Sequence, residues 1–141
     1  MSIREIKAGV YAVGAIDWDR RLFDELIQLP DGTSYNSYLV RGDEKVALID
    51  TVDPAKSHEL IESLQELKIT SIDYVIANHA EQDHSGTLPG ILELYPDAQV
   101  VTNPRCKDML IDLLLIPAER FLTKNDRETL SLGGEGRHWN L

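Results

Sequence analysis

From Val46 onward, short apolar runs alternate with amphipathic stretches, and this alternation restricts the fold more than any other feature of the chain. Val46-Ala-Leu-Ile49 is an unbroken apolar run leading into Asp50-Thr51, the pattern of a strand buried on both faces. Leu60, Ile61, Leu64 and Leu67 then recur at helical spacing between Pro54 and Lys68, with Asp53 placed as N-cap and Pro54 in the first turn. Asp73 to Asn78 reads as a strand, Leu88 to Tyr95 as a helix ended by Pro96, Gln99 to Thr102 as a strand and Pro104 to Ile116 as a helix. This order predicts an α/β sheet with helices on at least one face. Ahead of it the pattern predicts a strand meander over Ile3 to Gly14, Arg21 to Leu29 and Ser37 to Val40, with a reversing turn at Leu29-Pro-Asp-Gly-Thr33. Phe121-Leu122 and Thr129 to Leu132 read as short strands, and Gly133, Gly134 and Gly136 as a turn.

The 141 residues suit one domain, and 43% apolar with 27% charged residues is the balance of a globular protein. A net charge of −10 without any Lys/Arg-rich stripe argues against nucleic acid as a partner. Cys106 is the only cysteine, so no internal disulfide can form, and a buried inert thiol is its expected role. The first residues lack the apolar core and cleavage site of a signal peptide, and Met109 to Ala118 is interrupted by Asp112 and much shorter than the ~20 residues that span a bilayer. No membrane association and a cytoplasmic location are therefore expected.

Chemistry concentrates in one place. His79-Ala-Glu81-Gln-Asp83-His84 carries four metal-ligating side chains in six residues, at the point where a strand ends. Ligands of α/β sheets gather at the carboxyl ends of strands. In an extended or irregular loop, positions 79, 81 and 83 can turn to one side, and the His84 imidazole can reach a second centre. Two carboxylates with two imidazoles form a harder, more anionic set than the sets typical of zinc, which favours iron or manganese without excluding zinc. Glu81 or Asp83 could instead act as a general base on a metal-bound water. The bland alternative is a polar strand-to-helix loop in which Asp83 or Ser85 caps the helix beginning near Gly86.

The pattern His79-x-Glu81-x-Asp83-His84-x-Gly86 resembles the metal-binding loop of the flavodiiron proteins within the metallo-β-lactamase superfamily, whose hydrolases usually have His where Glu81 stands. The resemblance extends through Gly14-Ala-Ile-Asp-Trp18, Gly32-Thr-Ser-Tyr-Asn-Ser-Tyr-Leu39, Ala47-Leu-Ile-Asp-Thr51 and Asp73-Tyr-Val-Ile-Ala-Asn-His79, and so covers nearly the whole chain. It implies a metallo-β-lactamase-like αββα sandwich, of which residues 1–141 would form the first half only. It also implies that His79 and Glu81 hold a first iron, with Asp83 on a second and His84 on that iron in some members. The parent activity implied is reduction of dioxygen to water or of nitric oxide to nitrous oxide.

Two departures accompany the resemblance. The family often has Phe-His-Gly where this chain reads Phe23-Asp24-Glu25, and its later His, bridging Asp and final His fall beyond Leu141. Four side chains do not complete two iron sites, so this chain alone is expected to hold half of the metal site and to be inactive. A first half alone would expose the sheet face meant to be buried. The expected partners are therefore the remainder of the domain, a second subunit or a homo-oligomer. Electrons would come from a flavin-bearing or rubredoxin-type donor in the parent system. FMN is not expected in this chain, which has no flavodoxin-like domain and no phosphate-cradling loop.

Several residues carry two readings. Asp50 would either orient a ligand histidine or serve as a strand-end turn acid. Asn78 and Thr87 flank the loop and could hydrogen-bond the ligands. His58, in the Pro54 to Lys68 helix, reads as solvated, and His138 as a residue near the chain end. Three functions compete: a diiron oxidoreductase module, a dinuclear zinc hydrolase and a non-catalytic oxygen-binding module. Glu81 argues against the hydrolase.

Overall fold

The computed structural model describes residues 3–17, 22–23, 27–28, 33–35, 37–78, 85–124, 129–132 and 138–140. Eight strands open the chain: β1 (Arg4–Lys7), β2 (Val10–Ala12), β3 (Ala15–Asp17), β4 (Leu22–Phe23), β5 (Ile27–Gln28), β6 (Thr33–Tyr35), β7 (Tyr38–Arg41) and β8 (Val46–Ile49). A 3-10 turn at Pro54–Lys56 leads into α1 (Ser57–Glu66), followed by β9 (Tyr74–Ile76), α2 (Leu88–Leu94), β10 (Gln99–Thr102) and α3 (Pro104–Leu114). The last strands are β11 (Phe121–Thr123), β12 (Thr129–Ser131) and β13 (His138–Asn140).

Seven strands form one sheet in the order β1-β2-β7-β8-β9-β10-β11. β8, β9, β10 and β11 run parallel, with α1, α2 and α3 as the crossovers between them, and β1, β2, β7 and β8 pair antiparallel. The α/β expectation is met, as is the order of its elements. Asp53 caps the 3-10 turn by accepting the Ala55 N–H at 3.0 Å, so the predicted helix starts as predicted but opens with a tighter turn. Asn103 does the same for α3, its Oδ1 accepting the Cys106 N–H at 2.8 Å.

The meander is more finely divided than the sequence pattern predicts. Ile3 to Gly14 is a hairpin rather than one strand, because Gly9 takes φ 79° and turns β1 back onto β2. Arg21 to Leu29 likewise contains two strands, β4 and β5, paired antiparallel with Leu22 opposite Gln28. The turn residues expected at 29–32 and at Gly133, Gly134 and Gly136 lie outside the described residues, although β12 and β13 do pair antiparallel. The α3 helix stops two residues short of Ile116. Leu115 leaves it in the left-handed region, φ 57°, where glycine is the usual occupant.

Two cores flank the sheet. On the helical side Leu39, Leu48, Leu60, Leu64, Leu88, Ile91 and Leu110 pack with Cys106, which is buried as expected. Each such aliphatic side chain contributes roughly 1.5–3 kcal/mol by leaving water. On the other face Val40, Ala47, Ile49, Ile76 and Val101 are buried with Leu130 and Leu132. The expected exposure of this second face is therefore not found at its centre. Val10, Tyr38, Tyr74 and Leu122 complete it as half-buried residues. Among the described residues no helix is long and apolar enough to cross a membrane.

Candidate metal centre

Buried polar side chains mark one end of the sheet. Of the buried polar residues among those described, Ser37, Asp50, Thr51, Asp53, Ser63, Ser85, Thr87 and Thr102, all but Ser63 lie where β8 or β10 ends or where the chain enters β7 or α2. A buried polar group is costly unless it is hydrogen-bonded, so a cluster of them at the strand ends needs a structural or functional reason. Segment 79–84 joins β9 to α2 at this end.

Asp50 is the centre of the cluster. It follows β8, is 8% exposed and takes φ 59°, a conformation that favours glycine and that asparagine and aspartate tolerate best among the rest. That backbone costs roughly 1–2 kcal/mol against the usual helical or extended regions. Hydrogen bonds over-determine it: its N–H donates to Ile76 O at 2.8 Å, and its carbonyl accepts from Ser37 Oγ at 2.8 Å. Its carboxylate reaches across to the end of β9, where Oδ1 accepts the Asn78 N–H at 2.8 Å and Oδ2 accepts from Asn78 Nδ2 at 3.2 Å.

The other side of the loop is held as well. Thr87 Oγ1 donates to Val52 O at 2.8 Å, tying the entry of α2 to the chain just beyond β8. Thr102 Oγ1 donates to Ala77 O at 2.7 Å, and the Ala77 N–H donates to Val101 O at 2.9 Å, so β10 fixes the same strand end from its far side. Segment 79–84 thus runs between two anchored ends, Asn78 and Thr87.

The predicted ligands His79, Glu81, Asp83 and His84 all lie outside the described residues, as does the Asp24-Glu25 departure. The flanking residues are described. Asp50 bonds Asn78, the residue directly before His79. Asn78 and Thr87, suggested as hydrogen-bond partners of the ligands, bond to Asp50 and to the Val52 carbonyl. Sequence reasoning missed Ser37 and Thr102. Their signal was a polar residue at the start of β7 and at the end of β10, legible only once the register placing Val101 beside Ile76 is known.

The donor set fits a hard, redox-active divalent cation. Two carboxylates and two imidazoles within six residues suit iron or manganese in both charge and donor type.

A sheet of this topology, with its helices on one face and its buried polar cluster at the strand ends, defines a metallo-β-lactamase-type α/β domain. The chain belongs to the metallo-β-lactamase superfamily, whose family model matches residues 30–139. Over 107 residues it is 44% identical to nitric oxide reductase from Moorella thermoacetica, a match covering 74% of this chain and 27% of that protein. The rubredoxin oxygen:oxidoreductase from Desulfovibrio gigas superposes with a TM-score of 0.87 at 34% identity, over 94% of this chain and 33% of that one. The flavodiiron protein from Giardia intestinalis does so with a TM-score of 0.85 at 31% identity, over 94% and 32%. Its relatives are flavodiiron proteins, as the loop pattern implied, and the chain spans a third or less of the length of those three.

Proposed function

We propose that residues 1–141 form the N-terminal part of a diiron domain, and that His79, Glu81, Asp83 and His84 contribute half of a non-haem iron site that reduces dioxygen or nitric oxide. The observation supporting this most directly is the pairing of Glu81, in place of a hydrolase histidine, with a strand-end frame that anchors both sides of the loop. The similarity to a nitric oxide reductase and to a rubredoxin oxygen:oxidoreductase supports the same reaction class.

His79 and His84 would supply neutral imidazole nitrogens, and Glu81 and Asp83 would supply anionic oxygens that offset the cation charge. Bound iron would supply reducing electrons and open coordination positions to the oxygen or nitric oxide substrate. The chain's own contribution is to orient the loop: Asp50 and Thr102 hold the end of β9, and Thr87 holds the start of α2. The remaining ligands would come from the rest of the domain. The reductant would be a flavin-bearing or rubredoxin-type donor, in a cytoplasmic setting.

The test is consumption of oxygen and of nitric oxide by iron-loaded protein supplied with reduced rubredoxin or reduced flavin, measured for the chain joined to the remainder of its domain. Consumption that falls to background in Glu81→Ala and His79→Ala supports the proposal. Ester or thioester hydrolysis that depends on zinc, with no gas consumption, would replace it with the hydrolase reading.

A further inference from the structure

We infer that the groove between the carboxyl ends of α2 and α3 is a two-fold contact with a second copy of this chain, in which Leu115 of each copy enters the groove of the other and Glu93 meets the partner's Arg120. The inference is independent of how segment 79–84 is read.

Exposed apolar side chains gather in this region. Among the described residues, four of the five large exposed hydrophobics, Leu94, Met109, Leu113 and Leu115, lie on α2, on α3 or directly after it. Pro89, Leu92, Ile116 and Pro117 wall an open groove of about 230 Å3. That is below the roughly 300–1,000 Å3 of small-molecule sites, so the groove suits an inserted side chain better than a ligand. Leu115 stands at its rim, 84% exposed with φ 57°. Glycine would hold that conformation without strain. The chain's own packing makes little use of the leucine, so the strained backbone points to a use outside the chain.

Charge favours a second copy as the occupant. Glu93 and Arg120 both line the groove, and among the described residues neither has an ion-pair partner. Arg120 donates through Nε and Nη2 to the carbonyls of Leu92, Tyr95 and Ala98, which leaves Nη1 without a hydrogen bond among the described residues. An isologous contact requires each copy to supply both halves of every pairing. An acid beside a guanidinium, and a protruding leucine beside a groove, meet that requirement on one patch. A polyanion would find a single lining cation here, on a chain of net charge −10. The segment after α3 crosses to the other face of the sheet, where Leu130 and Leu132 are buried, and leaves the groove open. Eight lining residues are fewer than the ~20–30 a side of a standard interface, so the contact is weak and concentration-dependent.

The experiment is sedimentation equilibrium of the full chain between about 5 µM and about 1 mM, a span that brackets a weak complex. The wild type is expected to shift from one chain to two. Leu115→Gly is expected to raise the dissociation constant by about 100-fold, because two leucine side chains lose their burial. Glu93→Lys is expected to raise it by about 10-fold, because like charges then face each other across the contact. Both positions are exposed, so neither substitution disturbs a core. Ile6→Ser removes an exposed apolar side chain from β1, at the far edge of the sheet, and is expected to leave the dimer intact. Four results would overturn the inference: a monomer at every concentration, a mass beyond two chains that marks a head-to-tail contact, a dimer indifferent to Leu115→Gly and Glu93→Lys, or a dimer lost equally in Ile6→Ser.

Discussion

A methyl group on Gly42 would stand 2.5 Å from both Cβ and the carbonyl oxygen of Leu132, so the β7–β8 turn and the residue after β12 meet with no room for a side chain. The same carbonyl accepts the N–H groups of Glu44 at 3.1 Å and Lys45 at 3.0 Å. This junction brings Leu132 into the second core, where it is 1% exposed beside Val40 and Ala47.

Gly42→Ala is therefore expected to unseat Leu132 and lower stability by roughly 1–3 kcal/mol, as overpacking at a tight contact does. Urea denaturation followed by tryptophan fluorescence measures this. A midpoint equal to that of the wild type would show that the junction yields without cost.

Thr87→Val keeps the volume of the side chain and removes the donor to Val52 O. A buried carbonyl left without its partner costs roughly 1–3 kcal/mol. The expected outcome is a loss of that size together with faster amide exchange at the start of α2. Unchanged exchange there would mean that the Thr87 bond does not anchor the loop.

The sequence made the parallel half of the fold legible because its signals are local. Asp53 before Pro54, Asn103 before Pro104 and the apolar runs of β8 and β10 each combine a cap or a period with burial. The meander was less legible, since β4 and β5 are two residues each, too short to show a period of two. The end of α3 was missed because Leu115, rather than glycine, occupies the left-handed position. The candidate ligands could be named from their density alone. Their frame could not, because Asp50 and Asn78 are 28 residues apart and meet only through the pairing of β8 with β9.

Leu115 suggests a gain. It is 84% exposed with φ 57°, so Leu115→Gly relieves a left-handed penalty and sheds an exposed apolar side chain. The added chain entropy of glycine offsets part of this, leaving an expected stabilisation of about 0.5 kcal/mol. A thermal melt is the check, and a lower melting temperature would show that the left-handed backbone at Leu115 carries no such penalty.

Burial pushes the Tyr95 phenol above its ordinary value of 10.0. Its hydroxyl donates to Ile69 O at 2.9 Å. With the folded value raised, the stability it contributes is fully present below pH 10.0 and is lost as pH rises through the folded value. Tyr95→Phe is expected to be less stable by a constant amount at neutral pH, with the difference narrowing in alkaline solution. A difference that stays constant through the alkaline range would contradict that assignment.

We propose that the segment joining β9 to α2 binds iron through His79, Glu81, Asp83 and His84. Elemental analysis of protein produced in iron-supplemented medium tests it most directly, with wild type compared against Glu81→Ala and His79→Ala. Iron retained by the wild type and lost from both variants is the predicted result. Zinc retained with no iron, or iron content indifferent to either substitution, would contradict it.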